Sequence, residues 1–370
     1  MMPAPRSSIS RRSLLAAGAA GCVLASRLPA ALADPLPIDA TIAAVRNRYG
    51  LPGVAALVMR GGTIVAQGVA GVRSVTSSEP VTLADRFVIG SCGKSMTATI
   101  AARLVARGAV AFETTLAEVF PELAWSMQPA YRGATLAMLL SHRSGIPQVP
   151  PVPLPLPGDP ATERARALPV LLSLPPQGLP GQTYLYSNLG YIVAGALLER
   201  RAGVPFEALA AAELFQPLGL TTAGFGAPAD DAPKGHTAFW LPLPADSDLY
   251  PTLGAAPAGL YHLALPEWAR YAALHMGLVP DYLPPELLAR LHQPWLPDLG
   301  ESYASGWHVD QGAWGQELRH NGSDGYWSAR LRLVPALGYG VLMATNMLGL
   351  NVEPAAEELE AELMRQFPPA

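Results

Sequence analysis

Phe87-Val88-Ile89-Gly90-Ser91-Cys92-Gly93-Lys94-Ser95-Met96-Thr97 is the stretch on which the reading of this chain turns. An apolar strand end runs into a glycine, and a helix follows with Met96, Ile100 and Leu104 recurring on one face. Ser91 falls at the helix start, where free backbone N–H groups and the helix dipole favour developing negative charge. Lys94 stands one turn on, on the same face, so its amine can reach the Ser91 hydroxyl. A serine alkoxide is a costly species at neutral pH, and a nearby amine of lowered pKa is one way to reach it. Taken alone, S-x-x-K more often means a helix cap followed by a solvated lysine.

Three other readings of the stretch are weaker. Gly93-Lys94-Ser95 resembles the end of a P-loop, but the first glycine of that motif would fall at Val88, too bulky for a phosphate-cradling turn. A G-x-S-x-G elbow is absent because Ile89 stands two before Ser91. Cys92 as a nucleophile would need a histidine partner that no motif supplies, so it is expected as a small apolar residue packed behind the helix start.

Two further elements change the weight of the first. Pro180-Gly181-Gln182-Thr183-Tyr184-Leu185-Tyr186-Ser187-Asn188 enters a helix whose apolar face includes Ile192, Gly195 and Leu198. Tyr186 and Asn188 are two apart, which in extended backbone places a phenol and an amide on one side. The competing reading is Ser187 or Asn188 as a cap behind a buried tyrosine. Leu318-Arg319-His320-Asn321-Gly322-Ser323-Asp324-Gly325-Tyr326-Trp327 reads as an alternating strand that delivers His320. Gly322 then lets a ligand approach the backbone closely. The N–H of Ser323 would complete an oxyanion hole with that of Ser91. By composition the same stretch is also turn-rich.

The rest of the chain supplies a frame. Residues 38–49 are helical by periodicity and stop at Gly50, and residues 54–59 and 63–69 flank Gly61-Gly62, a hairpin signal. Near the other end residues 326–334 and 339–346 flank a second hairpin turn, before an amphipathic helix with Leu359, Leu363 and Phe367 on one face. Helices are expected between, at 91–107, 135–141, 187–201 and 206–215, with a proline-dense surface loop at 147–160. The fold class is therefore α/β (α+β): one antiparallel sheet from both chain ends, flanked by helices, with an inserted, mainly helical lobe. The cleft between lobes is the default site. Tyr184, Trp240, Tyr303, Trp307, Tyr326 and Trp327 are candidates to line it, with only one or two expected there.

Composition excludes other classes. Of 370 residues, 15% are charged and half are apolar, with a formal charge of −4. No basic run follows residue 27, so nucleic acid has no electrostatic footprint. Two cysteines and seven histidines show no metal-ligand spacing. No metal and no cofactor are implied.

Ser10-Arg11-Arg12-Ser13-Leu14-Leu15, an apolar run to Ala25 and Ala31-Leu32-Ala33 look like a twin-arginine signal peptide over residues 1–33. The apolar run is shorter than the roughly 20 residues a span needs, so no transmembrane segment is expected in the mature chain. Lipid anchoring through Cys22 ranks second, because no leucine stands three residues before it. Residues 34–370 would form one catalytic domain, with a sheet lobe at about 34–75 and 253–370 and a helical lobe at about 76–252. Its destination is periplasmic or secreted.

Ser91-x-x-Lys94, Tyr186-x-Asn188 and His320-x-Gly322 occur in one order, and in this the chain resembles the serine β-lactamase and penicillin-binding-protein superfamily, nearest the class C β-lactamase-like branch. Thr135-Leu-Ala-Met-Leu-Leu-Ser-His-Arg-Ser-Gly-Ile-Pro147 and Pro257-Ala258-Gly259-Leu260-Tyr261 add to the likeness. The resemblance implies a β-lactamase/transpeptidase-like fold. In it Ser91 is the nucleophile, Lys94 its proton partner, Tyr186 the acid or base of both half-reactions, and Asn188 a holder of the substrate amide. His320, Gly322 and Ser323 would complete substrate binding. β-Lactamases of this branch usually carry lysine where His320 stands, whereas peptidases and esterases often carry histidine. The expectation is an exported serine hydrolase cleaving an ester or a D-amino-acid peptide in preference to a β-lactam. The alternative is a catalytically silent protein that binds peptidoglycan fragments or β-lactams.

Overall fold

A computed structural model describes residues 34–148, 158–229, 231–295 and 302–369. The leader assigned to residues 1–33 and most of the proline-dense loop lie outside the described residues. The strands are β1 (Leu36–Pro37), β2 (Gly53–Arg60), β3 (Thr63–Gly71), β4 (Arg86–Val88), β5 (Gly224–Phe225), β6 (Tyr261–Ala264), β7 (His308–Gly312), β8 (Gly315–Ser323), β9 (Ser328–Val334) and β10 (Tyr339–Thr345). Seven of them form the main sheet, in the order β1-β3-β2-β10-β9-β8-β7. The two chain ends meet where β2 pairs with β10, antiparallel, Leu57 opposite Leu342. The β2–β3 turn closes as expected, with Gly61 and Gly62 at φ of +54° and +80°, the left-handed region a two-residue hairpin turn uses.

Alternation along β2 and β10 divides the core in two. Val54, Ala56, Val58, Val341 and Met343 face Ile42 and Val45 of the Asp39–Tyr49 helix and Leu359 and Leu363 of the Val352–Gln366 helix. Ala55, Leu57, Leu342 and Ala344 face the other way, into a larger cluster with Met96, Ile100 and Leu104 of the Lys94–Ala106 helix. The middle of the chain is helical, with Pro160–Ser173 and Asn188–Ala202 its longest helices among the described residues. They are joined by Arg164, whose fully buried guanidinium lies 2.6 Å from Glu199 and 2.8 Å from Glu207.

The structure departs from the expected architecture in three places. β1 pairs parallel to β3, so the sheet is not wholly antiparallel; a two-residue edge ending in proline can do this because it needs few ladder bonds. A second sheet, β4-β6-β5, joins residues from three distant parts of the chain, each run too short to show a period of two. The last hairpin begins at Ser328 rather than Tyr326, because the Asp324 carboxylate accepts the N–H groups of Tyr326 and Trp327 and holds them in a turn.

Candidate active site

β4 ends at Val88, and Gly90–Gly93 forms one 3-10 turn before the Lys94–Ala106 helix continues it. Gly90 has φ +52°, and a Cβ on it would lie 2.1 Å from the Ser323 backbone nitrogen. A Cβ on Gly322 would lie 2.0 Å from the Ile89 carbonyl oxygen and 2.8 Å from the Ser91 nitrogen. The two glycines thus let the serine turn and strand β8 touch backbone to backbone. The Ser91 turn is what comes close to Gly322 among the described residues. The same contact brings the Ser323 backbone beside that of Ser91. Ser91 sits in the first turn of its helix, where its N–H has no intrahelical acceptor, and its side chain is partly open to solvent.

Lys94 is completely buried and forms no ion pair with a carboxylate among the described residues. Its Nζ lies 2.9 Å from Ser91 Oγ, 2.7 Å from Asn188 Oδ1 and 2.6 Å from the Ala258 carbonyl oxygen. Burial lowers the amine from its ordinary 10.5 to about 7. A neutral amine has two N–H donors and one lone pair. The Asn188 and Ala258 oxygens can only accept, so they take the two N–H groups. The lone pair is left for Ser91, whose hydroxyl alone of the three partners can donate.

Tyr186 completes the group. Its phenol hydrogen-bonds the Ser91 side chain, and its ring centre lies 4.9 Å from the Lys94 Nζ. Burial pushes the phenol well above its usual value, so it stays protonated at neutral pH. Asn188 opens its helix while Ser187 caps it, accepting the Gly190 N–H at 2.9 Å, and the cap leaves the Asn188 side chain to meet Lys94.

His320 is buried, with Nδ1 2.6 Å from the Asn321 carbonyl oxygen and Nε2 3.0 Å from the Tyr303 hydroxyl. The carbonyl can only accept, so Nδ1 carries the proton and Nε2 accepts from Tyr303. Burial, with the Lys94 and His308 charges adding to it, lowers His320 to about 3. It is neutral at any ordinary pH, and both ring nitrogens are occupied. Tyr186 and His320 line one cleft of about 230 Å³ with His308, Arg319, Asn321 and Arg330. Cys92 is buried with Sγ 3.4 Å from the His320 carbonyl oxygen, and burial raises its thiol far above the range of a reactive thiolate, as its packing role requires.

Two participants were not assigned from sequence. The Ala258 carbonyl belongs to a segment singled out only for its resemblance, and a backbone acceptor leaves no residue-type signal. Tyr303 was one of six aromatic candidates, of which Trp307 and Trp327 prove fully buried and Trp240 lies near Gly50, its indole N–H donating to that carbonyl.

A family model described as Beta-lactamase matches residues 38–364. Penicillin-binding protein 4 of Amycolatopsis lactamdurans is 26% identical over 326 residues, covering 82% of this chain and 83% of that protein. A D-aminopeptidase of Cereibacter sphaeroides is 27% identical over 223 residues, 58% of this chain and 42% of the relative, so the match spans less than half of that protein. The solved D-alanine carboxypeptidase AmpC of Burkholderia cenocepacia shares the fold at a TM-score of 0.71 and 21% identity, over 87% of this chain and 97% of that one.

Proposed function

Because this chain belongs to the beta-lactamase family of serine hydrolases, we propose that it cleaves an ester or amide through an acyl intermediate on Ser91. The observation that carries the proposal is the set of partners around Lys94, which leaves its lone pair facing the Ser91 hydroxyl. Neutral Lys94 takes the Ser91 proton as Oγ attacks the carbonyl carbon. The oxyanion that forms lies between the N–H groups of Ser91 and Ser323. Collapse breaks the bond to the leaving alkoxide or amine, which takes the Tyr186 proton, and the Lys94 ammonium returns a proton to Tyr186. Water repeats the sequence on the acyl-enzyme and releases the acid.

The preferred substrate is an ester or a D-amino-acid peptide ahead of a β-lactam. A neutral His320 with both nitrogens engaged offers no fixed cation for a carboxylate, the cleft's Arg319 and Arg330 are paired with Asp310 and with Glu353 and Glu360, and a charge-assisted hydrogen bond is worth roughly 1.5–3 kcal/mol. Neutral esters lose nothing by its absence. Export by the twin-arginine route, supported by the Arg11-Arg12 segment, would place the reaction in the periplasm or outside the cell.

The test is covalent labelling by a fluorophosphonate, followed by turnover of p-nitrophenyl esters, D-alanyl peptides and nitrocefin side by side. Wild type should label and turn over the esters fastest, and Ser91→Ala should do neither while remaining folded. An unlabelled wild type would favour the silent binding protein, and a preference for nitrocefin would overturn the substrate ranking.

A further inference from the structure

His142, in the T-L-A-M-L-L-S-H-R-S-G-I-P segment, has no place in the proposed proton path, yet it meets Tyr186 and both of its chain neighbours. It is buried, and its backbone is at φ +59°, a left-handed conformation uncommon outside glycine, with histidine, asparagine and aspartate the residues best able to adopt it. Its carbonyl oxygen accepts the Leu185 N–H at 2.8 Å, and its Nδ1 accepts the Ser187 N–H at 3.0 Å. Those two N–H groups flank Tyr186 on either side. The His142 ring also packs on the Tyr186 ring, with centroids 4.1 Å apart. One residue therefore grips the backbone before Tyr186, the backbone after it and the face of its ring.

We propose that His142 is a positioning residue, which holds the Tyr186 hydroxyl on Ser91 by clamping residues 185–187. The inference rests on Tyr186 acting as the proton donor of the proposed function. From this left-handed backbone the carbonyl and the side chain of one residue reach two N–H groups that lie two residues apart. The segment around His142 is itself tied down, since Gly181 N–H donates to the Arg143 carbonyl at 2.7 Å and Ser187 Oγ donates to that of Pro147 at 2.7 Å.

The acceptor role requires a neutral ring. Nδ1 receives a hydrogen bond, so the ring proton lies on Nε2, which is buried without a hydrogen-bond partner among the described residues. Burial, reinforced by Lys94, His320 and His308, keeps His142 well below its ordinary value, and the rings of Tyr184, Tyr191 and Tyr303 enclose it. Nε2 hydrogen-bonds no group of the site among the described residues, so His142 acts through Tyr186 and not on the reacting atoms.

The experiment is a double-mutant cycle read by p-nitrophenyl acetate turnover, with folding checked by circular dichroism. An asparagine Oδ1 falls where Nδ1 lies, and asparagine tolerates the left-handed backbone. A glutamine Oε1 falls nearer the place of Nε2. His142→Ala and His142→Gln should each lower kcat about 10–100-fold, the scale of a misplaced catalytic group, with KM within about twofold. His142→Asn should recover kcat to within a few-fold of wild type. In a Tyr186→Phe background none of the three should lower kcat by more than about twofold, because the group they position is gone. Should the alanine variant fail to fold, the asparagine and glutamine pair reads the same coupling. Additive losses, rescue by glutamine instead of asparagine, or full activity of His142→Gln would each overturn the clamp while leaving the acyl-serine mechanism intact. A fully active Tyr186→Phe would overturn the clamp together with the role proposed for Tyr186.

Discussion

Replacing Lys94 by methionine should make the protein more stable and nearly inactive. Wild type keeps a fully buried amine whose value falls from 10.5 to about 7 by burial. At 1.36 kcal/mol per pH unit, that fall disfavours the charged form in the fold by about 5 kcal/mol. Methionine removes this cost but leaves the buried Ala258 carbonyl without its donor, an orphaned acceptor worth about 1–3 kcal/mol. At pH 6 the variant should therefore gain about 2–4 kcal/mol. Between pH 7 and 10.5 the unfolded chain binds more protons at this site than the folded one, so wild-type stability rises with pH across that window. The advantage of Lys94→Met should shrink accordingly and reverse by pH 10.5, where the cost relieved is under about 1 kcal/mol. Other titrating groups are common to both proteins and cancel in the difference. Urea unfolding of both at pH 6, 8 and 10 measures it, with ester turnover expected to fall about 10²–10⁴-fold. A variant less stable than wild type at pH 6, or an advantage that does not change with pH, would refute the claim that Lys94 is a desolvated, unpaired amine.

The same amine predicts that kcat/KM for a neutral ester rises with pH through about 7 and then levels, since only neutral Lys94 accepts the serine proton; a flat profile from pH 6 to 8 would exclude it as the base. Tyr186→Phe should lower kcat about 10²–10⁴-fold and combine with Lys94→Met for less than the product of the two losses, because both serve one proton path. Gly322→Ala, whose new methyl would lie 2.0 Å from the Ile89 carbonyl oxygen, should cost about 1–3 kcal/mol in unfolding experiments and also impair turnover by pushing the Ser91 turn away; unchanged values for both would show that the close contact is dispensable. Arg164→Ala strips the buried guanidinium from Glu199 and Glu207 and should cost about 3 kcal/mol, the lower end for a broken buried pair because both carboxylates keep some contact with water. A change under about 1 kcal/mol would mean that the carboxylates rehydrate fully.

What could be read from the sequence is what depends on neighbours along the chain. Ser91 and Lys94 meet because they are one helical turn apart, the Gly61-Gly62 turn follows from two residues free to take positive φ, and the terminal hairpins and amphipathic helices follow from apolar periodicity. The order of three short motifs then singled out residues that the fold brings together around Ser91 and Lys94. The tertiary structure alone decided how those residues behave. Burial lowers Lys94 to about 7, and the oxygens that meet its amine come from Asn188, 94 residues on, and Ala258, 164 residues on. His320 is pinned by the distant Tyr303, Gly322 meets the serine turn, and His142 grips a segment more than forty residues away. None of these contacts has a period or a spacing. A pKa and the direction of a hydrogen bond depend on every atom within a few ångströms, and in a packed core those atoms come from strands and helices whose separation along the chain says nothing about their distance in space.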